Sequence, residues 1–109
     1  MAVQNPFNAQ ISQLTTAGGT LSALNLTAGA HLVKAGAGRV MRINVNTVGT
    51  AGTFSVNDAA TTGAAAAANL IWEGSNTTAA GTIIDLQFPY TNGLVVTVPT
   101  GGVVAVSYV

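Results

Sequence analysis

The chain has 109 residues, with three basic and three acidic side chains, a formal net charge of zero and no cysteine. This length fits one domain with a single core, and the lack of cysteine excludes disulfides and thiolate metal sites. Three basic residues cannot neutralise many phosphates, so we expect no nucleic-acid partner. Charged residues make up only 6% of the chain, which predicts a surface that partner molecules cover.

The first twenty residues are polar, contain Pro6 and show neither a helical nor a strand period. We expect residues 1–20 to form an extended arm ahead of a β-sandwich domain at residues 21–109. Phe7, Ile11 and Leu14 are candidate interface residues of this arm, which could add a strand to a neighbour or clasp it. The chain lacks a signal-peptide pattern and any apolar run long enough to span a membrane, which predicts a protein made in the cytosol without a membrane partner.

After this segment, short apolar runs rich in Val, Ile and Leu alternate with clusters of Gly, Asn, Thr and Pro. This pattern predicts an all-β fold, an antiparallel, jelly-roll-like β-sandwich of about eight short strands. The predicted strands are Leu21–Leu26, His31–Lys34, Arg39–Val48, Thr53–Val56, Asn69–Trp72, Thr82–Phe88, Leu94–Val98 and Val103–Val109.

Alternation of apolar and polar residues predicts which side of a strand faces the core. In the sixth predicted strand, Ile84, Leu86 and Phe88 share the inner face. In the third, Met41, Ile43 and Val45 share one face. Val40 is out of phase with that series, which predicts a β-bulge near the start of the strand.

The turn residues predict how the last strands connect. Asn92-Gly93 has the composition of a type I′ hairpin turn, and Pro99–Gly102 that of a chain reversal. Together they predict an antiparallel meander over Thr82–Val109, in one sheet or folded across two. The alanine-rich Gly63–Ala68 is too short to nucleate a helix alone, so we expect one helical turn or a packed loop.

Residues that could carry out catalysis are scarce. A Ser-His-Asp triad would need His31, the only histidine, but no serine lies in a nucleophile-elbow sequence. Asp58, Glu73 and Asp85 lie on different predicted elements, and solvated strand ends explain them better than a carboxylate pair does. We therefore expect no catalytic, cofactor-binding or metal site, and no enzymatic activity.

The basic residues and the tryptophan are the candidates for contact with a partner. The glycine-rich segment from Lys34 to Arg39 precedes a strand, which favours a hairpin over a phosphate-binding loop. With Arg42 these residues predict a positive patch that docks on an acidic surface, the alternative being chance placement at strand edges. Trp72 is a candidate interface anchor, with core packing as the alternative.

Several segments resemble small β proteins of tailed-phage virions, and capsid decoration, or cement, proteins are the nearest class. The resemblance covers roughly residues 21–109, and its residues are Gly38–Gly49, Asn57–Asn69, Gly81-Thr82, Gly93–Val96 and Ala105–Tyr108. It implies a β-sandwich that clusters as homotrimers on an icosahedral shell, binds the major capsid protein and ties neighbouring capsomers together. It also implies that the protein resides in the virion.

Three other functions are compatible with this composition. A fibre or receptor-binding knob would need an exposed glycan pocket, for which Trp72 and Asn76 are the candidates. An ice-binding protein would need Thr at a regular spacing, and the Thr residues here have no fixed period. A small hydrolase would depend on His31.

Overall fold

The computed structural model describes residues 19–109, which form two four-stranded antiparallel sheets. The prediction of an all-β sandwich with eight strands is confirmed, and each strand lies where the sequence predicted it, with ends that differ by no more than two residues. The strands are β1 (Leu21–Leu26), β2 (Gly29–Ala35), β3 (Gly38–Thr47), β4 (Phe54–Asp58), β5 (Leu70–Gly74), β6 (Ile83–Tyr90), β7 (Gly93–Val98) and β8 (Val103–Tyr108).

The strand order is β1-β8-β3-β6 in sheet one and β2-β7-β4-β5 in sheet two. Strands β4 and β5 are consecutive in the chain and pair within sheet two, whereas every other connection between consecutive strands passes from one sheet to the other. This order is that of a double-sheet jelly roll. In sheet one, β1 pairs with β8 so that Leu21 lies opposite Tyr108, and the Thr20 N–H donates a hydrogen bond to the Tyr108 carbonyl at 3.1 Å.

Of the two arrangements predicted for Thr82–Val109, the one folded across both sheets is observed, but the three strands do not pair with one another as a meander does. Strands β6 and β8 lie in sheet one and β7 lies in sheet two, so none of the three pairs with another. Asn92 and Gly93 do not adopt the positive φ of a type I′ turn, because their N–H groups bind the carboxylate of Asp58 instead of closing a hairpin. The reversal at Pro99–Gly102 is confirmed: the Gly102 N–H donates to the Pro99 carbonyl at 3.0 Å, and Gly101 has φ +78°.

The core lies between the two sheets and contains mostly medium-sized side chains. Its buried members are Val40, Ile43, Val45, Phe54, Val56, Tyr90, Leu94, Val96, Val98, Val104 and Val106. The bulge predicted near Val40 is confirmed, because the three residues 40–42 of β3 lie opposite only two residues of β8, Tyr108 and Ser107. The bulge returns Val40 to the core, where it is fully buried.

Strand β6 departs from its predicted alternation. Ile84 and Leu86 pack against the core as expected, but Phe88 is 49% exposed. The reason is a bulge in β6, which has one more residue than β3 between the pairs Val40–Phe88 and Arg42–Asp85. Gln87 has φ +46° in this bulge, and the period-2 pattern breaks there. The inner position near the end of the strand belongs to Tyr90, whose hydroxyl donates to the Val109 carbonyl at 3.0 Å.

The outer strands of both sheets are interrupted. In each of β1, β2, β5 and β6 the register shifts relative to the neighbouring strand, so each edge strand contains a bulge. Asn25 in β1 has φ +55°, and β6 also contains Pro89, which has no N–H to donate. Bulges and proline at an edge oppose the addition of a further strand.

One helical turn or a packed loop was expected for the alanine-rich segment; the structure has two 3-10 turns, at Thr62–Ala64 and Ala67–Asn69, neither of which contains a buried residue. These three-residue turns are the helical segments of residues 19–109, and no helix there is long enough to cross a membrane.

Candidate functional site

The outer face of sheet one, which we call the open face, carries two rows of side chains across its four strands. One row joins Ser22, Ser107, Arg42 and Asp85, which are successive Cα partners from β1 to β6. The second row joins Ala105, Asn44 and Ile83, with Leu24 of β1 at its other end. Because side chains alternate along a strand, these residues point away from the core.

Two large apolar side chains stand at opposite edges of the open face. Leu24 on β1 is 71% exposed and Ile83 on β6 is 64% exposed, the two largest values among the exposed large apolar residues of the described chain. Between them lies a shallow groove of about 420 Å³, whose floor includes the small side chains Ala105 and Ser107. Single exposed apolar side chains are common on protein surfaces, so it is the groove between these two that makes the open face a candidate for binding another molecule.

The charges of the open face lie next to each other. Arg42 and Asp85 are Cα partners in the β3–β6 pair, so a cation and an anion occupy the same row. The backbone N–H of Arg42 donates to Ser107 Oγ at 3.1 Å, which gives this N–H a partner at the β3 bulge. Arg39, next to the buried Val40 on β3, also points outward, so the open face carries two cations and one anion.

The outer face of sheet two, which we call the covered face, has the same construction but is partly buried. Its rows are Ala30, Thr97, Ser55 and Glu73, and Leu32, Val95 and Asn57. Residues 59–69, here named the cover loop, lie across the second row. Val95 is completely buried although it belongs to the outer face, and Asn57 is only 4% exposed.

Two asparagines fasten the cover loop to the sheet. The side-chain amide of Asn57 donates to the Ala66 carbonyl and to Asn69 Oδ1, both at 2.9 Å. Asn69 in turn donates to the Ala64 carbonyl at 2.8 Å and accepts from the Ala66 N–H at 2.9 Å. These hydrogen bonds hold residues 64–69 against the sheet. They offset the weak tendency of a short alanine run to form a helix.

Asp58 fixes the start of the cover loop. Its carboxylate accepts hydrogen bonds from the N–H groups of Thr91, Asn92 and Gly93 and from the Thr91 hydroxyl, at 2.8 to 3.3 Å. Burial opposes ionisation of this carboxyl, but the backbone N–H donors outweigh burial and hold the pKa of Asp58 below its ordinary value of 3.8. Asp58 therefore links the end of β4 to the connection between β6 and β7, which is a structural role.

The predicted interface residues are distributed over both sheets. Lys34 lies on the edge strand β2 of sheet two, whereas Arg39 and Arg42 lie on β3 of sheet one. Arg39 donates from Nη1 to the Gln87 carbonyl at 3.0 Å, so part of its guanidinium is used within the domain. The segment between Lys34 and Arg39 connects the two sheets and is not the predicted hairpin. Phe7, Ile11 and Leu14 lie outside the described residues.

Trp72 packs against the margin of the core. Its ring meets that of Phe54 edge-to-face, with centroids 4.9 Å apart, and a Cβ at Gly74 would overlap it. Asn76, its predicted partner in a glycan pocket, donates to the Gly52 carbonyl at 2.8 Å. Both side chains therefore have partners inside the domain, as the core-packing alternative for Trp72 predicts.

The ionisable candidates for catalysis do not come together. His31 is half-buried on β2, and its Nε2 lies 2.6 Å from the Thr27 carbonyl oxygen. Glu73 belongs to the covered face and Asp85 to the open face, so the sandwich separates these two carboxylates. Within residues 19–109, no group of three or more His, Cys, Asp or Glu side chains is placed to hold a metal ion.

Leu24 and Ile83 are the functional candidates that the sequence analysis missed. The signal for Ile83 was present, because the alternation Ile84, Leu86 places Ile83 on the polar side of its strand. Leu24 had no such signal, since the bulge at Asn25 sets its direction. Comparisons of the chain with protein-family models, with curated proteins and with solved structures found no match.

Proposed function

We propose that the protein is a structural component of a phage virion that decorates the capsid and bridges neighbouring capsomers. The observation that carries this proposal is the open face, which leaves Leu24 and Ile83 exposed on a jelly roll whose other outer face is partly covered by its own loop. A face that combines two exposed aliphatic side chains with polar and charged residues has the mixed composition of a surface suited to contact with a neighbour.

Composition supports the same function. The chain has six charged residues in 109, so little electrostatic repulsion keeps copies apart or away from a shell. Double-sheet jelly rolls also serve as viral capsid domains, although the same architecture is used by lectins and cupins. The specific role in decoration, and assembly as a homotrimer, follow from the resemblance to tailed-phage virion proteins.

Binding to isolated phage heads tests this function. Heads of a tailed phage that carries the protein, stripped of it by mild denaturant, are mixed with the purified chain and sedimented. We expect saturable binding, with a fixed number of copies per capsomer, and an increase in the temperature at which the heads release DNA.

Tails from the same virion are the control for this experiment. A decoration protein binds heads and not tails. Binding to tails alone would instead favour the fibre or knob function, and binding to neither would contradict a structural role in the virion.

A further inference from the structure

We propose that Asn92 is a site of spontaneous deamidation, and that the Asp58 carboxylate protects it as long as the domain stays folded. Asn92 is exposed and is followed directly by Gly93. Glycine has no side chain to hinder attack on the preceding asparagine, so Asn-Gly is among the pairs in which this reaction is fastest. The inference concerns the chemical stability of the chain and does not depend on the proposed function.

The reaction needs only the chain and water. The backbone nitrogen of Gly93 loses its proton and attacks Asn92 Cγ, and the bond from Cγ to the side-chain nitrogen breaks. That nitrogen takes up a proton and leaves as ammonia. The ring that results, a succinimide, is hydrolysed by water at one of its two carbonyl carbons. The product is aspartate or isoaspartate, and either one carries a new carboxylate at position 92.

The folded chain holds the attacking nitrogen in place. The peptide group between Asn92 and Gly93 is bound at both ends. Its carbonyl accepts from the Gly36 N–H at 3.0 Å, and its N–H donates to Asp58 Oδ1 at 3.3 Å. The same carboxylate oxygen accepts from the Asn92 N–H at 2.8 Å. Attack requires this peptide plane to turn until its nitrogen faces Asn92 Cγ, and the turn would break these hydrogen bonds.

The charge of Asp58 adds a second barrier. Attack begins with loss of the Gly93 N–H proton, which leaves negative charge on the nitrogen. That nitrogen lies at hydrogen-bond distance from the carboxylate of Asp58, and a like charge disfavours the deprotonated form. Asp58 therefore opposes both the movement and the ionisation that the reaction requires.

The fold needs glycine at position 93 for a reason unrelated to a turn. A Cβ built there would overlap the carbonyl oxygen of Ala59 and would lie 3.0 Å from that of Lys34, so a larger residue would push backbone atoms apart. Gly93 is buried, and its carbonyl accepts from the Ala59 N–H at 3.1 Å. Packing thus requires the glycine that makes Asn92 reactive, and Asp58 restrains the reaction.

Modification would disturb the contacts that now prevent it. A carboxylate at position 92 lies close to Asp58 and repels it, and isoaspartate also lengthens the backbone by one atom. Either change weakens the hydrogen bonds through which Asp58 fixes the start of the cover loop. We expect limited proteolysis to cleave the cover loop earlier in modified chains than in unmodified ones.

Ion-exchange chromatography and peptide mass mapping of the full chain measure the reaction. Deamidation adds a negative charge to a chain whose formal net charge is zero, so modified chains separate from unmodified ones. At mildly alkaline pH, we expect Asn92 to react about tenfold or more slowly in the folded chain than in the same chain unfolded in guanidinium chloride, because local opening must precede attack. Equal rates in the two states would overturn the proposal.

Asn92→Gln assigns the signal to position 92, because the longer side chain of glutamine forms the corresponding ring far more slowly. We expect the modified fraction of the unfolded chain to fall sharply in this variant. An unchanged modified fraction would place the reaction at another asparagine and would contradict the assignment.

Asp58→Asn tests the part played by the carboxylate. We expect Asn92 to react on the order of fivefold faster in this folded variant than in the natural chain, as for the net loss of about one hydrogen bond. An unchanged rate would show that Asp58 does not protect Asn92. A slower rate would show that the carboxylate acts as a base that promotes attack, and either result overturns the proposal.

Asn57→Ala separates local protection from global stability. It removes two hydrogen bonds of the cover loop and leaves the groups that bind Asp58 in place. We expect Asn92 to react more slowly in Asn57→Ala than in Asp58→Asn, although Asn57→Ala is the less stable protein. The reverse order would mean that unfolding of the whole domain controls the reaction, which would contradict protection by Asp58.

Discussion

The open face and the covered face are built from the same kind of strand pairing, but their outward apolar residues have different environments. Val95 on the covered face is completely buried, whereas Ile83 on the open face is 64% exposed. Both residues are β-branched and both lie on strands of four-stranded antiparallel sheets. Val95 lies on the inner strand β7 beneath the cover loop, whereas Ile83 lies on the edge strand β6 without such a loop, so the cover and the position in the sheet both contribute to the difference.

Topology explains why one face has a cover. Strands β4 and β5 both belong to sheet two, so the connection between them starts and ends on that sheet and can lie across its outer face. The connections that leave sheet one pass to the other sheet. Within residues 19–109, the chain thus covers part of one outer face with a loop and has no such loop over the other.

The largest expected effect comes from releasing the cover loop. Asn57→Ala removes two hydrogen bonds from a buried amide and leaves the Ala66 carbonyl and Asn69 Oδ1 without that donor. We expect the free energy of unfolding to fall by about 2–3 kcal/mol. Urea denaturation measures this loss, and limited proteolysis should show earlier cleavage within residues 59–69.

Asn44→Ala is the matched control, because Asn44 is an exposed asparagine of the open face. We expect it to change stability by less than about 0.5 kcal/mol. Equal losses for the two variants would mean that the cover loop adds nothing to stability.

A smaller effect is expected from the same polar substitution on each face. Val95→Thr places a hydroxyl beneath the cover loop, which should lower the free energy of unfolding by about 1–2 kcal/mol. Ile83→Thr makes a similar change where water already reaches the side chain, and should cost less than about 0.5 kcal/mol. If thermal denaturation finds the two changes equally harmful, the open face is buried in solution, as it would be within a stable assembly.

The smallest effect concerns the anchor at the start of the cover loop. Asp58→Asn removes the charge that three backbone N–H groups and one hydroxyl bind. Because these bonds are partly solvated, we expect a loss of about 1 kcal/mol at neutral pH. Asp85→Asn on the open face is the control and should cost less than about 0.5 kcal/mol.

The stabilisation by Asp58 should depend on pH. The pKa of Asp58 is held below 3.8 in the folded state, so folding favours the ionised carboxylate. The contribution is therefore complete above the ordinary pKa of aspartate and is lost as the pH falls through the folded pKa. Urea denaturation of the natural protein and of Asp58→Asn between pH 7 and pH 3 should show that the difference in their free energies of unfolding shrinks at acid pH. A difference that stays constant would contradict this role.

The strands could be predicted from sequence because their signal is local. Runs such as Leu94–Val98 are rich in β-branched residues and are bounded by Gly93 and Pro99. The composition of the run and the residues at its ends therefore indicate the same strand. Val40, out of phase in its strand, correctly indicated the bulge. The short alanine run Gly63–Ala68 correctly indicated that no regular helix forms there, since the structure has two 3-10 turns.

The pairing of the strands and the candidate site could not be predicted in the same way. Asn92-Gly93 has the sequence of a hairpin turn, but the acceptor for its N–H groups is Asp58, 34 residues earlier in the chain. A period-2 pattern tells which side of a strand is apolar, and it does not tell which strand lies beside it. Leu24 and Ile83 form one face only once the order β1-β8-β3-β6 places them at its two edges.

The pairing of Leu21 with Tyr108 brings the beginning and the end of the sandwich to the same rim of the molecule. A peptide or domain fused ahead of β1 and one fused after β8 would therefore project from neighbouring points, and two tags there could be brought together for detection by proximity. A short linker between these points, with new termini opened at the exposed Gly63, would give a circular permutant in which all eight strands are kept.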